Sequence, residues 1–244
     1  MSSPAGTVRI QVKLCGLRTV CDVAGALLAG GDQLGIVLVP GARRFAAVSW
    51  ARHLADVARS GAAEAERFPP LVVGVVGRTP PQDVPALVAA IGVDAVQLTG
   101  DEAYAVAVAE ALGGELPLVR AIGVPDAADA ATIAELAATA ARWEARGAGV
   151  LFDAIVPGCG DGGGTGARIQ ADLLAELFAS GARGLAGGLD PGNVADAIRA
   201  VRPAFVDVSS GIEDALGVKD PERMRAFVAA AHAAQLTHPP EGIA

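Results

Sequence analysis

The sequence predicts an α/β protein built as a single (β/α)8 TIM barrel, and three observations lead to this prediction. The chain has 244 residues, about the size of one such barrel. Short runs rich in Val, Ile and Leu alternate with longer Ala-rich stretches in which apolar residues recur at helical spacing, the pattern of repeated βα units. Hydrophobic residues make up 52% of the chain and aromatic residues only 4%, so small aliphatic side chains fill the core, which suits parallel strands under helices.

Eight short apolar runs are predicted to be strands. In chain order they are Ile10–Cys15, Leu34–Val39, Leu71–Val76, Ala95–Leu98, Leu118–Ile122, Val150–Asp153, Gly184–Ala186 and Phe205–Val208. The helical stretches between them lie near Val20–Ala29, Val48–Ser60, Gln82–Ala90, Glu102–Leu112, Ala127–Glu144, Gln170–Ala179, Gly192–Val201 and Pro221–Ala234.

Eight strands alternating with eight helices imply closure into a barrel. The rival is an open doubly wound sheet, but six strands would suit it better and no G-x-G-x-x-G opens the first helix. Composition does not change abruptly anywhere, so residues 1–244 are predicted to form one domain, with disordered ends at 1–6 and 237–244.

Composition also excludes several function classes. The formal net charge is −8 and no dense Lys/Arg run occurs, which argues against a nucleic-acid partner. Residues 1–6 are short and polar, and no run approaches ~18 apolar residues, so we expect no membrane association and a cytoplasmic protein. The three cysteines, Cys15, Cys21 and Cys159, have neither metal-site spacing nor a disulfide pattern, so we expect reduced thiols and no metal.

Chemistry in a barrel is carried by residues at the C-terminal ends of the strands. Cys15 ends the first strand; its thiolate can act as a nucleophile or a base, and the alternative is an inert buried thiol. Asp153 ends the apolar sixth strand, where burial without a partner is costly, so it should face the barrel mouth as a general acid or cap a turn. Asp207 on the eighth strand has the same ambiguity.

Arg43 and Arg44 follow the second strand. Their guanidinium groups can bind a carboxylate through two parallel hydrogen bonds. The alternative is a pair of solvated surface arginines.

Glycine clusters follow the last three strands. Gly187 and Gly188 come after the seventh strand, and Ser209-Ser210-Gly211 after the eighth. Loops in these two places commonly hold a phosphate on backbone N–H groups, so together they predict a phosphorylated small-molecule ligand. The run Gly160–Gly166 after the sixth strand is interpreted as a mobile lid.

These residues resemble the phosphoribosylanthranilate isomerase family of tryptophan biosynthesis, over nearly the whole chain. The motifs occur in order: Val12-Lys13-Leu14-Cys15-Gly16, Arg44, Ala95-Val96-Gln97-Leu98, Leu151-Phe152-Asp153, Gly163-Gly164-Thr165-Gly166, Gly187-Gly188-Leu189-Asp190-Pro191-Gly192-Asn193-Val194 and Asp207-Val208-Ser209-Ser210-Gly211-Ile212-Glu213.

The resemblance implies an Amadori rearrangement that converts an aminoaldose phosphate to an aminoketose phosphate without a cofactor. It implies that Asp153 is the general acid, Cys15 the general base and Arg44 the group that holds the anthranilate carboxylate. It further implies that Asp207 orients the sugar or Cys15. The phosphate would lie on the loops that carry Gly164, Gly187, Gly188, Ser210 and Gly211.

The chain departs from the family pattern in several places. Thr99-Gly100 follows Gln97-Leu98, where the family usually has His-Gly. The lid reads Gly166-Ala167-Arg168 where it commonly has Gly-Lys, so that Arg168 comes one position after the usual lysine. Two alternatives therefore stand beside the isomerase: a paralogue acting on another phosphosugar or a substituted anthranilate, and a non-catalytic phosphosugar-binding barrel. Monomer and homodimer are both open.

Overall fold

The computed structural model describes residues 9–64, 68–125, 129–155, 176–178, 183–215 and 217–236. Eight parallel strands form a closed barrel in chain order, which confirms the predicted fold and excludes the open sheet. The strands are β1 (Gln11–Cys15), β2 (Gln33–Val37), β3 (Leu71–Val76), β4 (Ala95–Leu98), β5 (Leu118–Pro125), β6 (Gly149–Ile155), β7 (Gly184–Leu185) and β8 (Phe205–Val208). The predicted disordered ends, 1–6 and 237–244, lie outside the described residues.

Helices alternate with the strands as predicted. Among the described residues they are α1 (Val20–Ala29), α2 (Val48–Glu64), α3 (Val84–Ile91), α4 (Glu102–Leu112), α5 (Ala130–Ala145), α6 (Val194–Val201) and α7 (Pro221–Leu236), with short 3-10 helices at Pro81–Asp83 and Ser210–Ile212. The predicted helix Gln170–Ala179 falls mostly outside the described residues.

A two-stranded antiparallel hairpin follows β8 and was not predicted. It consists of β9 (Glu213–Ala215) and β10 (Val218–Lys219). Strands this short have too few residues to show an alternating pattern, so no periodic signal marks them.

Local sequence explains where the helices begin. Thr19 caps α1 by accepting a hydrogen bond from the Asp22 backbone N–H, and the Asp22 side chain bonds back to the Thr19 N–H. This reciprocal capping box fixes the predicted first residue of α1. Helix α6 begins two residues later than predicted, at Val194, because Asp190 and Asn193 hold a turn ahead of it.

Strands β5 and β6 run further toward the C-terminal rim than predicted. They pair in register from Val119 with Gly149 to Pro125 with Ile155. Asp153 was predicted to end its strand, but it lies two residues before the end of β6, opposite Gly123.

Side chains of the barrel strands alternate between two environments. Val12 and Leu14 of β1 are fully buried in the main core shared with the helices. Lys13, between them, points the other way, because its Nζ donates a hydrogen bond across the barrel to Gln97 of β4. The interior side of β1 therefore carries Lys13 and, two residues further on, Cys15 at the C-terminal rim.

Candidate active site

Cys15 lies where β1 ends, on the interior side of the barrel. Its side chain is buried and packs with Val39 and Val75. Gly35 of β2 lies beside it, and a Cβ atom at Gly35 would lie 2.6 Å from Cys15 Sγ. Only glycine leaves room for the thiol at that point of β2.

Lys13 forms a polar layer beneath Cys15. Its Nζ donates to Asp207 Oδ2 and to Gln97 Oε1, both at 2.9 Å. Burial alone would lower the pKa of Lys13, but the negative charge of Asp207 and the hydrogen bond to it, with a smaller contribution from Cys15, outweigh burial and raise it. Lys13 is therefore a buried ammonium, and Asp207 is its ion-pair partner. Lys13 was named from the sequence only as part of a motif. A lysine within an apolar strand is the sequence signal that could have identified it as a site residue.

The charges around Cys15 oppose one another. Burial raises the pKa of the Cys15 thiol, Lys13 lowers it, Asp207 raises it and Lys219 lowers it, in decreasing order of size. The net pKa lies above the ordinary value of a thiol. Of these neighbours, Lys13 is the one that most favours the thiolate.

Asp153 lies on β6 and is half-buried. Leu151, two residues earlier, packs with Ala186 and Phe205 in a cluster inside the barrel. Because side chains alternate along a strand, Asp153 shares the interior side with Leu151 and lies nearer the C-terminal rim. The structure thus places Cys15 and Asp153 on the interior side of the same rim, on β1 and β6.

Arg44 lies in the loop after β2 and is buried, whereas Arg43 is exposed. Arg44 forms two parallel hydrogen bonds with Glu213 of the hairpin, from Nε to Oε1 at 2.7 Å and from Nη2 to Oε2 at 3.0 Å. Arg43 Nη2 is 3.5 Å from Glu213 Oε2. The alternative of a solvated surface arginine is therefore wrong for Arg44.

Glu213 is the centre of a buried ionic cluster that the sequence analysis did not recognise. Lys219 Nζ donates to Glu213 Oε1 at 2.8 Å and also to the Ser209 carbonyl at 2.9 Å. Burial alone would raise the pKa of Glu213, but hydrogen bonds from Arg44, Lys219 and the Gly217 N–H lower it to about 2. The cluster connects Arg44 to the loop after β8.

The loops after β7 and β8 lie against each other. A Cβ atom at Gly211 would lie 1.9 Å from the Leu189 carbonyl oxygen, so only glycine permits this contact. Within the part of the chain that the structure describes, the backbone N–H groups of Gly187, Gly188, Ser210 and Gly211 donate to no other residue. Asn193 was named from the sequence only as part of a motif. Its side-chain amide fixes the loop after β7 by donating to the Gly188 carbonyl at 3.0 Å. Together the backbone amides of the two loops are suited to bind an anion.

Other predicted features lie elsewhere or outside the description. Gly164 and the lid interpreted at 160–166 lie outside the described residues, as does the Ala167-Arg168 pair. Thr99 is half-buried at the end of β4 and donates its hydroxyl hydrogen to the Val76 carbonyl at 2.8 Å.

Metal-binding clusters and membrane-spanning helices are both absent from the described residues. They contain no group of three or more His, Cys, Asp or Glu side chains placed to hold a metal ion. None of their helices is long and apolar enough to cross a membrane.

The fold and this rim define a class of protein: a (β/α)8 barrel with titratable side chains and loop backbone N–H groups at one end. The model of the family described as N-(5′-phosphoribosyl)anthranilate (PRA) isomerase matches residues 12–230. The chain belongs to this isomerase family.

Individual relatives agree with the family match. The N-(5′-phosphoribosyl)anthranilate isomerase of Myxococcus xanthus (strain DK1622) is 39% identical over 234 residues, covering 93% of this chain and 98% of the relative. A crystal structure of phosphoribosyl anthranilate isomerase in complex with reduced 1-(o-carboxyphenylamino)-1-deoxyribulose 5-phosphate superposes with a TM-score of 0.71, at 25% identity over 92% of this chain and 99% of that one. Monomers generated from the dimeric isomerase of Thermotoga maritima give the same TM-score, identity and coverage.

Proposed function

We propose that this protein catalyses the Amadori rearrangement of N-(5-phosphoribosyl)anthranilate to 1-(2-carboxyphenylamino)-1-deoxyribulose 5-phosphate, a step of tryptophan biosynthesis. Family membership gives the reaction. The observation that supports it in this chain is the position of Cys15 and Asp153, which share the interior side of the C-terminal rim on separate strands.

Ring opening and formation of the enolamine need two proton transfers and no other reactant. Asp153, as general acid, donates its proton to the furanose ring oxygen while the bond from that oxygen to C1 breaks and the nitrogen lone pair forms an iminium. Cys15, as general base, removes the proton from C2, and the C–H electron pair forms the enolamine. Tautomerisation of the enolamine gives the ketose.

The two anionic ends of the substrate would be held by different elements. The Arg44 guanidinium would bind the anthranilate carboxylate, oriented by its paired bonds to Glu213. The amides of Gly187, Gly188, Ser210 and Gly211 would bind the phosphate, joined by Gly164. Asp207 would orient Cys15 through its Oδ2, which is bonded to Lys13, or the sugar through its Oδ1, which has no partner among the described residues.

A second function is favoured by Thr99. Its short side chain stands where the family usually has histidine, and its hydroxyl is bonded to the Val76 carbonyl. A paralogous isomerase acting on a substituted anthranilate or another phosphosugar would use the same acid and base, with different side chains at the rim around the substrate. Turnover of a substituted substrate faster than the unsubstituted one would support this paralogue.

Turnover of freshly made phosphoribosylanthranilate, followed by loss of its anthranilate fluorescence, tests the proposal. We expect turnover by the wild type and a loss of about a hundredfold or more in Cys15→Ala and in Asp153→Ala, the usual scale for a general base or acid. Cys21→Ala is the matched control, because Cys21 is an exposed thiol on α1.

Each outcome decides a different point. Full activity in Asp153→Ala would exclude Asp153 as the acid. No turnover by the wild type would favour the paralogue, and retained phosphate binding without turnover of any such substrate would favour the non-catalytic barrel.

We also propose a cytoplasmic location and either a monomer or a homodimer as the assembly. Among the described residues Cys15 and Cys21 are free thiols, which suits a reducing compartment. The dimeric relative supports the homodimer, and sedimentation of the purified chain distinguishes the two assemblies.

A further inference from the structure

The Lys13–Asp207 ion pair is buried inside the barrel, where apolar side chains could fill the same space. Lys13 is 1% exposed and Asp207 7%, and the pair joins β1 to β8 deep inside the barrel. Replacing a buried ion pair with well-packed apolar side chains is often neutral or stabilising. Stability alone therefore gives little reason for this pair, and its position directly beneath Cys15 needs another explanation.

The ammonium of Lys13 has three N–H donors. Gln97 Oε1 and Asp207 Oδ2 accept from it at 2.9 Å each. The Cys15 side chain lies two residues further along the same interior face of β1. Gln97 and Asp207 thus hold the ammonium in place beneath the thiol.

Other charged groups reach Cys15 from the neighbouring elements. Asp207 on β8 opposes the thiolate, and Lys219 on β10 favours it from beyond Ser209. Arg44 lies beside Gly16, the next residue of the chain. On β2 the neighbour is Gly35, which carries no charge. Lys13 therefore has the strongest stabilising effect on a thiolate at this position.

We propose that Lys13 is a positioning residue for Cys15: its ammonium, fixed inside the barrel by Asp207 and Gln97, stabilises the thiolate that accepts the substrate proton. The inference rests on the proposed function, in which Cys15 is the base. Asp207 keeps Lys13 protonated and limits how far the thiolate is favoured.

The test is a pH titration of the Cys15 thiolate by its ultraviolet absorbance, without substrate. The spectrum of Cys15→Ser, subtracted at each pH, removes the contributions of Cys21, Cys159 and the single tyrosine. In Lys13→Met we expect the midpoint to rise by about one to three pH units, the usual effect of losing an adjacent opposite charge. The kcat of Lys13→Met should fall, and Lys13→Arg should recover part of it because the charge is kept.

A second pair of variants repeats the comparison if Lys13→Met fails to fold with Asp207 unpaired. Asp207→Asn and the double variant Lys13→Met/Asp207→Asn differ only in the Lys13 charge, so the midpoint should be higher in the double variant. Equal midpoints, in either comparison, would overturn the proposal. The titration contains no substrate, so failure of the wild type to rearrange phosphoribosylanthranilate would contradict the proposed function and leave the result on Lys13 intact.

Discussion

Glu213 compensates three cationic side chains from two parts of the chain. Arg44 and Lys219 are bonded to it within 3.0 Å, and Arg43 is at 3.5 Å. The Glu213 and Lys219 side chains are 4% and 0% exposed, so losing the carboxylate would leave buried positive charge without compensation. Such a loss typically costs about 3–5 kcal/mol of stability.

This cluster predicts a pH-dependent effect on stability. The pKa of Glu213 falls from 4.5 to about 2 on folding. A carboxyl group with a lowered pKa stabilises the fold above its unfolded pKa, and this contribution is lost as the pH falls toward the folded pKa. Glu213→Gln should therefore be much less stable than the wild type at neutral pH, and the difference should narrow between pH 4.5 and about 2.

Denaturant unfolding at a series of pH values measures this difference. Glu222→Gln is the matched control, because Glu222 is 81% exposed on α7 and, within the described ranges, pairs with Arg225 of its own helix alone. A constant difference between Glu213→Gln and the wild type across this pH range would contradict the cluster described here.

At the scale of elements, β2 and β3 each carry a glycine in mid-strand, in different environments. A Cβ atom at Gly35 of β2 would press on Cys15 Sγ from 2.6 Å, inside the barrel. At Gly74 of β3 it would lie 3.1 Å from Leu38 and from Val93, in the core shared with the helices. The first glycine shapes the site, and the second affects only packing.

Gly35→Ala should therefore lower kcat by displacing the Cys15 thiol and should also cost about 1–3 kcal/mol, the usual cost of overpacking. Gly74→Ala is the matched control and should lose stability while keeping kcat. Steady-state kinetics on both variants, at a temperature where both are folded, separates the two effects. An equal loss of kcat in both would mean that Gly35 has no special relation to Cys15.

Much of the element order was predictable, because each βα unit leaves its own hydrophobic pattern. The end of β6 was misjudged: residues 154–155 add no distinctive local signal, and their pairing with β5 extends the strand. Lys13 and Glu213 were visible as letters, but their roles depend on barrel closure and on the hairpin. The Lys13–Gln97 and Arg44–Glu213 contacts join residues 84 and 169 positions apart in the chain, which no local pattern records.

At the scale of the whole molecule, the chain is acidic although several arginines lie close to the hairpin at the rim. The formal net charge is −8, which would repel a substrate carrying a carboxylate and a phosphate. Arginines nevertheless converge on the hairpin at the rim: a Cβ atom at Gly217 would lie 3.4 Å from Arg18 Nη1 and 4.0 Å from Arg43 Nη1. A local positive potential at the mouth can raise the encounter rate of an anionic substrate despite the net charge.

Arg18→Gln should then lower kcat/KM a few-fold, leave kcat unchanged and weaken the dependence of kcat/KM on salt, since fewer charges attract the substrate. Arg142→Gln makes the same change in net charge on the outer helix α5, where Arg142 is exposed and bonded to Thr139. Initial rates of both variants, measured over a range of ionic strength, give the kcat/KM values to compare. If Arg142→Gln changes kcat/KM and its salt dependence as much as Arg18→Gln, net charge governs substrate capture, and the rim arginines have no special part in it.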